Sequence, residues 1–212
     1  MSVVDVFPEA KRKPNKRTRQ GAAIGARNTS SEIAASFRCI ILSTKVNITM
    51  DSSTVAVRRS PEEQVSLETM IREIFEHRLP FNELIGLRIE SLDPASPGLT
   101  FDMRPELVGS HQHSRLHGGV IATALDTVGG FAVALAIAEK HADETAEQIV
   151  MRFGRFGTID LRVDYLHQGI GRSFHAGAKV MRLGGRIASV QMELRNDAGL
   201  LIATGTAAYI IS

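Results

Sequence analysis

The chain has 212 residues, 43% of them hydrophobic and 23% charged, with a formal net charge of +2. That composition points to an ordinary soluble protein, and the length allows one fair-sized domain or one domain with a long appendage. The charge is unevenly placed: residues 1–49 hold nine Lys and Arg against three Asp and Glu, and the remainder holds 16 against 20, so the mild basicity says little about partners of the folded part.

Residues 1–59 read as a disordered basic extension, because "KRKPNKRTRQGAAIGARNTSS" has no apolar period and is rich in Gly, Ser, Asn and Thr. The single cysteine, Cys39, lies there, which excludes a disulfide framework and suits a reducing compartment. Pro14 and Gly21 stand against the amphipathic helix of a transit peptide, and a solvated tail is favoured over a nucleic-acid-binding arm. Met50 is an alternative start of the natural protein, and order is expected to begin at Ser60, so that residues 60–212 form the folded domain.

"SPEEQVSLETMIREIFEHRLP" opens that domain as an amphipathic helix. Ser60 caps, Pro61 fits the first helical position, Glu63 completes a capping box, and Leu67, Met70, Ile71, Ile74 and Phe75 keep helical spacing up to Pro80. The period then changes to two. "LTFDMR" alternates as a half-buried strand requires, with "LIGLRIESL" before it as a weaker candidate.

Residues 120–138 form a long apolar stretch interrupted by one acid, Asp126. A carboxylate near mid-bilayer costs roughly 2.5–3.5 kcal/mol, which favours a core helix wrapped by a sheet and covered by a partner. Gly129 and Gly130 each cost roughly 1 kcal/mol against Ala in a helix interior, so close approach of strands or of a second subunit is expected there. Beyond the helix, "TIDLRVDYL" places Ile159, Leu161, Val163 and Tyr165 on one face, and Asp160, Arg162 and Asp164 on the other as cross-strand ion pairs. "FHAGAKVMR", "IASVQMELR" and "LLIATGTAAYII" follow, separated by turns at Gly184-Gly185 and Asn196–Gly199. Two strands, one long helix and an antiparallel meander make an α+β architecture with the helix on the apolar sheet face.

A buried carboxylate needs a partner, and Thr123 or Thr127 is the structural choice. The functional choice places Asp126 two turns or so from the helix start, near the free amides of Gly118 and Gly119, which attract a developing oxyanion. A base and an oxyanion hole together are the minimum equipment for hydrolysing an acyl compound.

"HGGVIATALD", with Asp126 nine positions after His117, resembles the signature of PaaI-type hotdog-fold thioesterases. "LHGGVIATALD", "GTIDLRVDYL" and the strand-rich C-terminal region look like the YigI-like branch of acyl-CoA thioesterases, over roughly residues 65–212. The resemblance implies a hotdog fold: a long central helix wrapped by a curved antiparallel β-sheet. It implies Asp126 as general base or nucleophile, the Gly118 amide as oxyanion donor, His117 shaping the same corner, and Thr158 orienting the water or the acid. It further implies a homodimer or a dimer of dimers, with amide and acid from different subunits, so that a monomer is inactive.

Many such enzymes have, where this chain has His111, an Asn that helps to place the thioester or the catalytic water; imidazole can donate a hydrogen bond in that role, but its charge would vary with pH. Arg182 and Arg186 flank a hairpin turn, where they either stay solvated or meet the phosphates of coenzyme A. Residues 139–156 form a long connection, read as a short helix and lid or as a surface excursion. No cofactor is needed, and the spacing of His111, His113 and His117 suits no standard zinc ligand pair. The expected activity is hydrolysis of medium- to long-chain acyl-CoA in the cytoplasm, with no membrane span and no nucleic-acid partner. Hotdog dehydratases are disfavoured because no His follows Asp126 within the helix. An acyl-CoA sensor would need an upstream helix-turn-helix that the tail does not supply.

Overall fold

The computed structural model describes residues 58–110 and 112–212. The expectations placed on residues 1–57, including the basic extension, Cys39 and the Met50 start, and on His111 lie outside the described residues.

Helix α1 (Pro61–Arg72) begins as expected: Ser60 is extended and its side chain accepts the Glu63 N–H. The other half of the capping box is not made. The Glu63 carboxylate accepts the Ala146 N–H at 2.9 Å, serving the first turn of a later helix. Leu67 and Ile71 are buried, and the helix then widens into a π-helical turn, Glu73–Arg78. Leu79 is extended (φ −105°, ψ 97°), as a residue before proline should be. Pro80 therefore ends one helix and also starts another, α2 (Pro80–Ile85), which closes on Gly86 in the left-handed region at φ 77°. That short helix takes Leu84 and Ile85 out of the weaker strand candidate, leaving β1 as Arg88–Ser91.

Asn82 in α2 is only 4% exposed and ties this helical entrance together. Its amide donates to the Phe75 carbonyl at 3.0 Å, and its oxygen accepts from the Thr127 hydroxyl at 3.4 Å. Asn82→Ala leaves both groups without a partner and should cost about 1–3 kcal/mol. An unchanged midpoint in urea denaturation would show that these bonds add nothing.

The remaining strands are β2 (Gly98–Asp102), β3 (Gly157–Tyr165), β4 (Ser173–Leu183), β5 (Ile187–Asn196) and β6 (Leu201–Ile210). They form one open six-stranded antiparallel sheet in the order β1-β2-β4-β5-β6-β3. The expected meander holds for β4, β5 and β6. Strand β3, however, does not pair with the strand that follows it: β4's other edge is taken by β2, where Phe101 stacks on Phe174 at 5.3 Å, and β3 lies beyond β6 at the far edge.

Helix α3 (Gly118–Lys140) packs on the apolar face of β2 to β6. Leu125, Val128 and Phe131 are fully buried, and Phe131 meets Phe75 edge-on at 5.1 Å. The helix is long and apolar enough to cross a bilayer, but here it is the core of the fold. One stripe is incompletely covered: Gly119, Thr123, Asp126, Thr127 and Gly130, at helical spacing, are all at least partly exposed. At its far end, Arg59 donates to the carbonyls of His141 and Glu144 at 2.8 and 2.9 Å, placing a cation where the helix dipole favours one. Within residues 139–156 lies α4 (Ala146–Phe153), started by a two-way capping box between Thr145 and Gln148 and packed on α1.

Candidate active site

Thr158 and Tyr209 face each other on β3 and β6, and the next pair is Asp160 with Ala208. Ile159 is therefore the extra residue of a β-bulge, which resets the alternation. Leu161 and Val163 keep the face that strict alternation assigns them, but Ile159 leaves it and is 55% exposed. Thr158 takes its place toward the helix, with its hydroxyl donating to Asp126 Oδ1 at 2.9 Å.

A second hydroxyl reaches the same oxygen. Tyr209 Oη lies 3.1 Å from Asp126 Oδ1 and 2.9 Å from the backbone carbonyl of Asp126. Burial of Tyr209 first, and the Asp126 charge second, push the phenol's pKa upward, so the ring stays a proton donor. The partners of Asp126 are thus neither Thr123 nor Thr127. Thr123 bonds back to the Gly119 carbonyl at 2.8 Å, and Thr127 turns to Asn82.

Tyr209 was not picked out from the sequence, although Gly129 pointed toward it. A Cβ at Gly129 would come within 2.3 Å of Tyr209 Oη and 2.6 Å of Met192 Sδ, so close approach of the sheet explains this glycine. It does not explain Gly130, where a Cβ would meet the Tyr209 ring at an ordinary 3.8 Å.

At the start of α3, His117 is the N-cap, and its Nδ1 accepts the Gly119 N–H at 2.9 Å. That bond assigns the neutral ring its proton on Nε2. The expected pair of open amides is therefore reduced to one: Gly119 is occupied, while among the described residues the Gly118 N–H has no acceptor. The Gly118 carbonyl accepts from Tyr165 Oη at 3.0 Å, which pins the helix start to the end of β3. A hollow of about 470 Å³ opens here, lined by His117, Gly118, Ile121, Tyr165 and Gly169 but not by Asp126.

Asp126 stands eight residues beyond Gly118, about 12 Å along a helix rising 1.5 Å per residue. The expectation that the acid lies near the amides of its own chain is corrected by that distance, because one carbonyl group cannot meet both. Arg182 and Arg186 are exposed and, among the described residues, enter no salt bridge. Their hairpin is at the Thr158 end of the sheet, since Ile187 and Gly157 flank Ile210 in one row. The expected cross-strand ion pairs of β3 are absent. Arg162 pairs with Asp164 on its own strand at 3.0 Å, because the β6 residues opposite are Thr204, Thr206 and Ala208. Among the described residues no three His, Cys, Asp or Glu side chains converge as metal ligands.

A core helix wrapped by an open antiparallel sheet, with a held carboxylate on the helix and an open amide at its start, defines a hotdog-fold protein with parts suited to acyl transfer to water. Comparison with known proteins narrows this. The thioesterase superfamily profile matches residues 113–203. The medium/long-chain acyl-CoA thioesterase YigI of Salmonella typhimurium is 39% identical over 142 residues, 67% of this chain and 92% of the relative. YigI of Escherichia coli K12 is 37% identical with the same coverage. A crystal structure of a thioesterase-superfamily-related protein from Shewanella oneidensis matches with TM-score 0.67 and 38% identity, over 73% of this chain and 100% of that one. The chain belongs to the thioesterase superfamily, in its YigI-like acyl-CoA thioesterase branch.

Proposed function

We propose that the protein hydrolyses medium- to long-chain acyl-CoA thioesters to free fatty acid and CoA, as a cytoplasmic homodimer or dimer of dimers. The observation that carries this reading is the Asp126 carboxylate, anchored through one oxygen by Thr158 and Tyr209 and set in the partly exposed stripe of α3. Asp126 takes a proton from water as the water attacks the thioester carbon, or attacks that carbon itself to give a mixed anhydride that water then hydrolyses to the free acid. The carbonyl oxygen becomes an oxyanion facing the Gly118 N–H. Collapse breaks the C–S bond, and the thiolate of CoA leaves and is protonated. Water is the only other reactant, so no cofactor enters.

Two chains are needed because Gly118 and Asp126 lie about 12 Å apart on one helix. An antiparallel pair of α3 helices brings the amide of one to the acid of the other. The free edge of β3, with Ile159 and Tyr165 more than half exposed, and the partly exposed stripe of α3 are the surfaces such a pairing would bury. Arg182 and Arg186 are assigned to the phosphates of CoA.

Thiol release from acyl-CoAs of graded chain length tests the reading. Turnover should peak at medium to long chains. Arg182→Ala with Arg186→Ala should raise KM for acyl-CoA roughly three- to tenfold while leaving KM for the matching acyl-pantetheine thioester unchanged. Tight acyl-CoA binding without turnover would overturn the hydrolase and leave a sensor.

A further inference from the structure

Asp126 is held asymmetrically. Oδ1 accepts from two hydroxyls, Thr158 at 2.9 Å and Tyr209 at 3.1 Å, and among the described residues no donor reaches Oδ2. The two hydroxyls come from neighbouring strands and stand side by side only because the bulge at Ile159 sets Thr158 opposite Tyr209. Tyr209 does one thing more. Its one proton is shared between Oδ1 and the Asp126 main-chain carbonyl, which lies 2.9 Å away, so the phenol is set against both the side chain and the backbone of the acid. The ring is 3% exposed and cannot reach substrate itself. Its hydroxyl fits against α3 only because position 129 lacks a Cβ, which would stand 2.3 Å from Oη.

We propose that Tyr209 is a positioning residue of the hydrolysis, with Gly129 as the clearance it requires: it locks the Asp126 carboxylate so that Oδ2 is always the oxygen presented to water and thioester. A carboxylate free to rotate divides its population among orientations, and only one has a free oxygen aimed at the reacting carbon. Thr158 alone fixes one oxygen but leaves the plane of the carboxylate free to swing about that bond. The second donor, tied to the helix backbone, removes that freedom. This inference rests on the reading of Asp126 as the reacting acid.

The experiment compares Tyr209→Phe with wild type in the full chain, measuring kcat, KM and the Kd of a non-hydrolysable acyl-CoA thioether. Phe keeps the buried ring and deletes one hydrogen bond, so kcat should fall roughly tenfold while KM and the thioether Kd stay within about twofold. Gly129→Ala keeps the phenol but pushes it off the helix, and should give the same split between kcat and Kd; it carries the test if the Phe variant does not fold. Tyr209→Phe turnover above half of wild type, or a thioether Kd weakened by the same factor as kcat, overturns the inference. Asp126→Asn measured alongside separates the two levels. A fully active Asp126→Asn removes the acid's role and this inference together, whereas an inactive Asp126→Asn beside a fully active Tyr209→Phe removes only the inference.

Discussion

Asp126→Asn is expected to lower kcat at least about a hundredfold with no loss of melting temperature. Asn matches Asp in shape, and its amide oxygen still accepts from the Thr158 and Tyr209 hydroxyls that hold Oδ1. What disappears is the carboxylate in the partly exposed stripe of α3, the group proposed to take a proton from water or attack the thioester. Because the contacts survive, a non-hydrolysable acyl-CoA thioether should bind the variant as well as wild type. Thiol release and thermal melting on the same preparation check this. Turnover within tenfold of wild type would rule out Asp126 as the reacting acid. Lost turnover together with a much lower melting temperature would mean that the carboxylate serves the fold.

Gly118→Pro should be nearly as severe, lowering kcat by roughly a hundred- to thousandfold. Proline is usually a blunt change, but at the first helical position it removes only an N–H that the helix does not use. His117 already has the extended backbone (φ −64°, ψ 138°) favoured before proline, and a Cβ at Gly118 meets the Tyr165 ring at an ordinary 3.5 Å. The two variants then test how the site is shared. Each homodimer lacks either the acid or the amide in both of its sites. A heterodimer of Asp126→Asn and Gly118→Pro chains has one site with both groups intact if the site spans two chains, and none if it lies within one. Unfolded together and refolded in equal amounts, the mixture should recover about a quarter of wild-type activity, half the dimers being mixed with one working site each. A mixture as inactive as its components would exclude a site shared between chains.

Local features of the chain were legible from the residues alone. The Ser60 cap, the Pro80 stop, the amphipathic pattern of α1, the apolar run of α3 and the alternation of the later strands each depend on neighbours a few positions away. The acid also stood out, because a carboxylate in an apolar helix needs a reason to be there. Counting residues along α3 puts Gly118 and Asp126 about 12 Å apart, a separation that the reading of the acid as lying near the amides overlooked.

Long-range packing settled the rest. The period of a strand assigns its faces but not its neighbours, and β3 lies beyond β6 because β2 occupies the edge of β4. The bulge at Ile159 follows from that pairing, and it alone turns Thr158 rather than Ile159 toward the helix. Tyr209 comes to Asp126 from 83 positions away, and no local pattern marks a buried phenol as the partner of a distant carboxylate. Gly129 was visible as an anomaly because its cost in a helix is local, whereas the tyrosine that uses the vacated space is chosen by how the sheet closes over α3. Faces, caps and turns are decided by short-range sterics and hydrogen bonding, but the partners of a carboxylate such as Asp126 are decided by which elements the core brings together.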